Sequence, residues 1–458
     1  MPIFEKSSTL AVSADEAFAW HSRPGAFQRL APPWETVELL SSDGVSEGSR
    51  AVIRMKLGPI PKKWIAEHHG IIVGRQFQDR QVSGPFAKWN HTHCMEPVSE
   101  DRCTLTDRID YQPPLGILGK LVGGRLIRRQ LLRTFHYRHS LTASDLKFHS
   151  AYSERPAMKI AVGGSTGMVG SALVPFLTTG GHEVSRLHRS GPSLNDGTTS
   201  IAWDPAKGTI DAAGLVGCDA VVHLGGHNIA HGRWTNGMKR LIRDSRVNST
   251  TLLSRTLAGL ARPPKVLVSA SAIGFYGDRG QETMTEDSES GPSFLSETCR
   301  EWEESTAPAR DAGIRVVNLR IGVVLSPKGG ALKKMLLPFK LGGGGVVGNG
   351  KQWMSWVCLD DLPRIILHAI QTESLSGPVN ATAPGTVDNR EFTKTLGRVL
   401  KRPTIFPLPA FAVKLAFGEM GEELLLGSTR TVPNRLNESG YEFAYPELEP
   451  ALRDLLGL

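Results

Sequence analysis

Hydrophobic and polar positions follow two different rhythms along this chain, and the rhythm changes near residue 158. Before that point, period-two alternation predicts strands over residues 3–12, 36–40, 50–57, 63–73, 76–82, 87–96 and 103–111. Ser13 and Glu16 have capping-box spacing and open a helix that carries Phe18, Trp20 and Phe27. A long helical stretch from about Leu115 to His139 closes the segment. A strand, a helix, a meander of strands and a final long helix imply an α+β unit whose curved antiparallel sheet grips that helix. Periodicity fades from residue 144, and the polar residues 146–157 read as a linker between a domain at 1–145 and a second at 158–458.

Beyond the linker, short apolar runs alternate with amphipathic helices. Ile160 to Val162, Glu183 to Arg189, Ser200 to Trp203, Asp219 to Leu224 and Arg315 to Leu325 read as strands, with helices at Met168 to Thr179 and Leu332 to Leu341. This is the signature of an α/β, doubly wound parallel sheet of Rossmann type. Helical apolar spacing resumes at about 404–456, where Glu419, Glu422 and Glu423 suggest a small lobe closing over the cleft.

The first of these strands breaks into Gly164, Gly167 and Gly170, with Ser165, Thr166, Met168 and Val169 between them. With 49 glycines in 458 residues such spacing arises easily by chance, so its position carries the weight: strand before, helix after. Gly164 permits a tight reversal, Gly167 a close approach of the backbone to a pyrophosphate, and Gly170 close helix–sheet packing. The helix amino terminus then offers free N–H groups to phosphate. Where NAD-selective folds place an acidic residue at the end of the second strand, this chain has Arg186-Leu-His-Arg189, which favours the 2′-phosphate of NADP over NAD, with Arg189 as the contact. Asp204 can accept from an adenine amino group, and Leu224, Gly225, Gly226 and Ser269 lie where the cofactor would pass.

The formal net charge is +8 and charged residues make up 21% of the chain, which favours anionic small ligands and gives no stripe that would require nucleic acid. Five cysteines without a Cys-x-x-Cys pair suggest neither a disulfide frame nor a zinc site. The first residues carry no signal-peptide pattern and no apolar run reaches membrane-spanning length, so a cytoplasmic protein without stable membrane insertion is expected. Lys120, Arg125, Arg128, Arg129, Arg133 and Arg138 give the first domain's long helix a basic face, read as solvated rather than as membrane-bound. His91 and His93 share one face of a strand, but with no third ligand evident they read as a pocket-lining pair, and no metal is expected.

Element order over about the first 145 residues resembles the START-like, or SRPBCC, helix-grip family, which implies a cavity for a hydrophobic ligand. The second domain carries Gly163-Gly-Ser-Thr-Gly-Met-Val-Gly170, Trp203-Asp-Pro205, His223-Leu-Gly-Gly226, Asp244-Ser-Arg-Val-Asn248 and Ser269-Ala-Ser-Ala-Ile-Gly-Phe-Tyr-Gly277. With Gly348-Asn-Gly-Lys-Gln-Trp-Met-Ser-Trp356 and Gly418-Glu-Met-Gly-Glu-Glu-Leu-Leu-Leu426, these resemble the atypical extended short-chain dehydrogenase/reductases of the epimerase family, with its uncharacterised carboxyl-terminal domain. The resemblance implies that Ser271 orients a substrate oxygen. It also implies a proton-moving Tyr and Lys within residues 292–302, where this chain has instead Phe294 and Thr298. Tyr276 is the nearest alternative acid or base, with packing beside the nicotinamide as its other reading. Gln352, Trp353 and Trp356 are the candidate substrate contacts, with Trp356 open between that role and the core, and Asp361 reads as the cap of the helix that follows it. Two functions stay open: an NADP-dependent oxidoreductase or epimerase-like enzyme, and a sensor or scaffold that holds NADP without turnover. Substrate and oligomeric state are not legible.

Overall fold

The computed structural model of the chain describes residues 2–57, 60–113, 116–189, 196–230 and 232–458. In the first domain a seven-stranded antiparallel sheet forms from Ile3–Leu10, Val37–Ser42, Arg50–Leu57, Ile60–Ile72, Gln76–Ser83, Lys88–Ser99 and Arg102–Gln112. The first strand returns to pair with the last, Phe4 against Ile109. Alternation along Lys88–Ser99 buries Trp89, His91, His93 and Met95. The neighbouring strand buries Cys103, Leu105, Asp107, Ile109 and Tyr111 in the same way.

The gripped helix spans Gly116–Ser150, and its Phe135 ring lies 5.2 Å from that of Phe4. It outruns the expected end at His139, so residues 146–150 of the expected linker are its last turn. The cause is tertiary: Asp145 and Leu146 are buried, Asp145 accepting from Arg364 of the second domain and Leu146 packing with Leu10 and Trp20 in the first domain's core. Arg133 and Arg138 donate to the carbonyls of Leu456 and Leu30, so part of the basic face is turned to protein. The Lys120 side chain lies outside the described residues. No helix of the described residues is long and apolar enough to cross a membrane.

In the second domain the strands lie in the order Thr209–Ile210, Thr199–Asp204, Glu183–His188, Lys159–Gly163, Ala220–His223, Val266–Ala272, Arg315–Ile321, Gly377–Ala381. All neighbours are parallel except the two-residue edge strand. Helices cover both faces, which is why the strands read as continuous apolar runs. Ile160, Val162, Val222, Val268 and Leu319 form one core with Leu173 and Phe176 of helix Gly170–Thr179 and with Ile366 of helix Asp361–Gln371. Strand order reverses between Lys159–Gly163 and Ala220–His223, and the crevice that collects ligands in such sheets opens at the carboxyl ends of these two strands.

The two domains meet through a buried set of charges. Asp145 accepts from Arg29 Nε at 2.8 Å and Nη2 at 2.9 Å and from Arg364 Nη2 at 2.9 Å, and Arg29 Nη1 also donates to Asp360 at 3.0 Å. None of the four side chains is more than 8% exposed. The carboxyl-terminal lobe divides its contacts. Met420 and Leu424 pack with Trp234 and Phe294, whereas the last helix, Leu448–Leu456, joins Phe392 and Leu396 in a separate core.

Candidate functional site

At the mouth of the crevice the three glycines have different reasons to be there. Gly164 has φ +76°, and a Cβ there would lie 2.7 Å from the Leu224 carbonyl carbon; at Gly170 a Cβ would lie 2.3 Å from the Gly164 oxygen. Both are dictated by the chain's own backbone. Gly167 is exposed, its φ is ordinary, and an added Cβ would meet only the Gly164 oxygen, at 3.3 Å. Among the described residues, the N–H groups of Thr166 and Met168 have no hydrogen-bond partner, and helix Gly170–Thr179 begins with no side-chain cap. Open N–H groups beside a side-chain-free position at a helix start suit a diphosphate, so the residues fit a dinucleotide.

The flanking residues divide. Arg189 is exposed just past the end of strand Glu183–His188. Arg186 is buried, pairs with Asp196 at 2.5 Å and reaches the Ser165 carbonyl at 3.4 Å, so its charge is already matched beside the turn. Asp204 accepts from the Ala206 N–H in a tight turn, and its side chain is a quarter exposed. The backbone of Leu224 donates to Gly163 and thereby carries Gly225 and Gly226 past the turn. A Cβ on Gly225 would lie 2.7 Å from His223 Cε1, and one on Gly226 3.1 Å from the Arg246 guanidinium. His223 is buried, and desolvation followed by the Arg246 charge lowers its pKa to about 4. Ser269 is buried, with its hydroxyl 3.4 Å from the Ala270 carbonyl.

Ser271 and Tyr276 belong to one buried polar network. Ser271 Oγ donates to Glu303 at 2.7 Å, Glu303 is held by Arg320 at 2.8 and 2.9 Å, and Arg320 Nη1 donates to the Tyr276 oxygen at 3.0 Å. The Tyr276 hydroxyl donates in turn to Asn380 at 2.7 Å. Tyr276 is fully buried, and desolvation raises its pKa further. Its oxygen faces Arg320 and Asn380 in the interior. Sequence reasoning missed Glu303, Arg320 and Asn380. A signal was present: Arg320 interrupts an otherwise apolar strand, and a charge in such a place must be paired.

Phe294 and Thr298 stand where the proton-moving pair was sought. Thr298 is buried and its hydroxyl donates to the Phe294 carbonyl. The Phe294 ring lies 5.3 Å from that of Trp234, with Lys239 Nζ 5.0 Å from its centroid. Lys239 pairs with Glu419 of the terminal lobe at 2.6 Å, and Glu423 of the same lobe accepts from Ser293 at 2.9 Å.

Of the three substrate candidates, two turn inward. Trp356 is fully buried among Leu325, Phe339 and Phe392 and donates to the Gly385 carbonyl, so it belongs to the core. Gln352 is buried and its amide donates to the carbonyls of Val347 and Leu425 at 3.0 Å, bracing two loops. Trp353 alone keeps partial exposure, with Arg430 stacked 4.3 Å from its ring centroid. Asp361 does not cap its helix either. It is buried and accepts from the N–H groups of Ala444 and Tyr445 and the hydroxyl of Tyr441, fastening the carboxyl-terminal segment.

In the first domain His91 and His93 face inward toward two carboxylates, Asp79 and Asp107, and toward His139 of the long helix. Burial pushes both carboxyls up, but the histidines around them hold Asp79 and Asp107 below the usual range. Against its own desolvation, His91 is raised to about 9, chiefly by Asp79. The cavities here are mixed rather than apolar. One of about 500 Å³ is lined by Trp34, Glu35, Met55, Lys56, Arg129 and Arg133. Another, of about 330 Å³, lies between the domains and joins Arg29 and Tyr137 to Thr166, Met168 and Ser171 of the glycine turn.

Family models match in three blocks: polyketide cyclase/dehydrase and lipid transport at residues 10–135, the NAD dependent epimerase/dehydratase family at 160–381, and a domain of unknown function at 408–455. An epimerase family protein of Mycobacterium bovis is 42% identical over 295 residues, covering 64% of this chain and 96% of that one. The solved nucleoside-diphosphate sugar epimerase of Corynebacterium glutamicum is 33% identical and covers 99% of this chain and 90% of its own, with a TM-score of 0.79. The human epimerase family protein SDR39U1, solved with NADPH, is 34% identical with a TM-score of 0.60, covering 65% of this chain and 99% of its own. A glycine turn at the sheet's switch point, a terminal lobe against it and relatives matched almost end to end agree: the chain is a member of the NAD dependent epimerase/dehydratase family, with an SRPBCC-like domain ahead of it.

Proposed function

We propose that this chain is an NADP-dependent oxidoreductase or epimerase-like enzyme acting on a small carbonyl, alcohol or sugar-nucleotide-like substrate, with a hydrophobic-ligand domain fused to it. The observation that carries the reading is Gly167: the one glycine of the turn that the chain's own packing leaves open, beside N–H groups without partners. The relative solved with NADPH supports the choice of cofactor, as does Arg189 at the end of a strand that lacks the usual acidic residue. When bound, a nicotinamide supplies a hydride donor or acceptor. Ser271 orients the substrate oxygen; its proton is directed to Glu303, so its free lone pair accepts from a substrate hydroxyl. Arg320 holds Glu303 in place for that task. Trp353 offers the exposed ring surface for a substrate.

Retention of NADP without turnover is the second reading, favoured by Phe294 and Thr298 in place of a proton-moving pair and by Tyr276 turned into the interior. Single-turnover oxidation of bound NADPH across a panel of carbonyl compounds and nucleotide sugars separates the two. Oxidation that depends on Ser271 supports the enzyme. If no compound is reduced, or if Ser271→Ala oxidises NADPH as fast as the parent, the catalytic assignment fails.

A further inference from the structure

The buried histidines of the first domain are arranged as donors around one point. Three adjacent strands supply them: Asp79 stands directly across from His91, and Asp107 directly across from His93, all on the inner face of the sheet. One donor atom from each of Asp79, His91 and His93 lies within 4.8 Å of those of the other two. Asp79 Oδ2 is 3.1 Å from His91 Nδ1 and 3.5 Å from His93 Nε2.

The far side of the rings is held by a second carboxylate. Asp107 Oδ1 lies 2.8 Å from His91 Nε2, in hydrogen-bonding line, while the Nδ1 side of the same ring faces Asp79, where a metal ion would take the place of the proton. The same oxygen is 2.7 Å from His93 Nδ1 but off the hydrogen-bond line, so Nδ1 of this buried ring has no aligned partner. Asp107 Oδ2 is taken by His139 Nε2 at 2.7 Å, and His139 Nδ1 is 2.6 Å from Ser8 Oγ. A carboxylate that orients ligating imidazoles from behind is the arrangement that fixes tautomer and aim in metal sites. His91, His93 and Asp107 are under 10% exposed, while the Asp79 side chain is 17% exposed and gives the site its side open to solvent.

We propose that Asp79, His91 and His93 bind a divalent transition-metal ion, with zinc(II) as the fitting class, and that Asp107 and His139 orient the ligands. Two imidazoles and one carboxylate are borderline-soft donors of the kind zinc takes, and three protein ligands leave coordination open for water or an oxygen donor from a ligand. Calcium and magnesium, which require oxygen-rich shells, do not suit it.

The test uses the full-length, tag-free chain. After chelator treatment and dialysis the protein is titrated with zinc(II), and separately with cobalt(II) while the visible d–d absorption is followed. The proposal expects one equivalent bound per chain, no competition from excess calcium(II), and a cobalt spectrum of tetrahedral or five-coordinate intensity. His93→Gln and Asp79→Asn should each abolish stoichiometric uptake, and Asp107→Asn should weaken it by about 10- to 100-fold. Each variant is checked by circular dichroism and by NADPH binding to the other domain. The wild-type stoichiometry decides the matter if a variant fails to fold. Wild-type protein that takes up no zinc(II) or cobalt(II) at micromolar concentration overturns the proposal, and so does uptake unchanged in a folded His93→Gln.

Discussion

Asp145→Asn is the substitution that most directly probes how the two domains are joined. The change keeps the shape of the side chain and removes its charge, while Asp145 is fully buried and accepts three hydrogen bonds from two arginines. Burial would lower the pKa of either guanidinium, yet Asp145 above all holds both above their ordinary value. After substitution Arg29 keeps Asp360 at 3.0 Å, but Arg364 loses the one carboxylate to which it is hydrogen-bonded among the described residues. Removing one partner of a buried ion pair costs about 3–5 kcal/mol, because the other charge stays desolvated. The retained Asp360 contact places the expected loss near the low end, about 3 kcal/mol. At roughly 2–4 °C per kcal/mol for a large domain, the melting temperature should fall by about 6–12 °C. Urea unfolding followed by tryptophan fluorescence gives the free-energy change, and differential scanning calorimetry shows whether the domains still melt together. The fourfold change Arg29→Met, Asp145→Leu, Asp360→Asn, Arg364→Met, which removes all four charges of the set together, should cost less than Asp145→Asn alone. A loss below about 1 kcal/mol for Asp145→Asn would refute the reasoning, since surface pairs fall in that range.

Other substitutions sort the site residues by what they touch. Gly164→Ala should leave little soluble protein, because of its positive φ and its 2.7 Å approach to Leu224, whereas Gly167→Ala should fold normally and weaken NADPH binding by about tenfold or more, read by thermal shift and cofactor fluorescence. Trp356→Ala should cost about 3–5 kcal/mol in urea unfolding, while Trp353→Ala, at a partly exposed ring, should cost far less and act on substrate affinity. His223 is neutral when folded, with its pKa at about 4 against 6.5, so the unfolded chain binds a proton first. Stability present above pH 6.5 should therefore fall as the pH drops toward 4, by on the order of 3 kcal/mol for this group, and His223→Gln should flatten the pH slope of the urea midpoint by about one proton.

The glycine turn was legible in sequence because its requirements are local. A strand, three glycines and a helix start fall within a dozen residues, although the contact that Gly164 answers to, Leu224, comes from just past the end of the neighbouring strand of the sheet. The inward face of Lys88–Ser99 was legible for the same reason, since period two is a property of one strand. Asp79 and Asp107 were not, because their meeting with His91 and His93 depends on the register of three strands. The ion set at the domain junction is the extreme case: Arg29 lies 116 residues from Asp145 and 331 from Asp360. Trp356 and Gln352 looked like ligand contacts because polar and aromatic residues cluster there. Which of them turns inward is set by the packing of Gly385 and Leu425 from later in the chain. The motif carrying Tyr276 was legible in sequence, but only the fold reveals Arg320 and Asn380 on either side of its oxygen.

The central claim is that residues 160–189 form a seat for a phosphorylated adenine dinucleotide, and a paired titration with NADPH and NADH, followed by cofactor fluorescence, tests it most directly. The account predicts tighter binding of NADPH, a preference that Arg189→Ala erases, and weaker binding of both cofactors in Gly167→Ala. Equal affinity for the two cofactors in the parent protein would contradict the 2′-phosphate assignment, and no binding of either would contradict the seat itself.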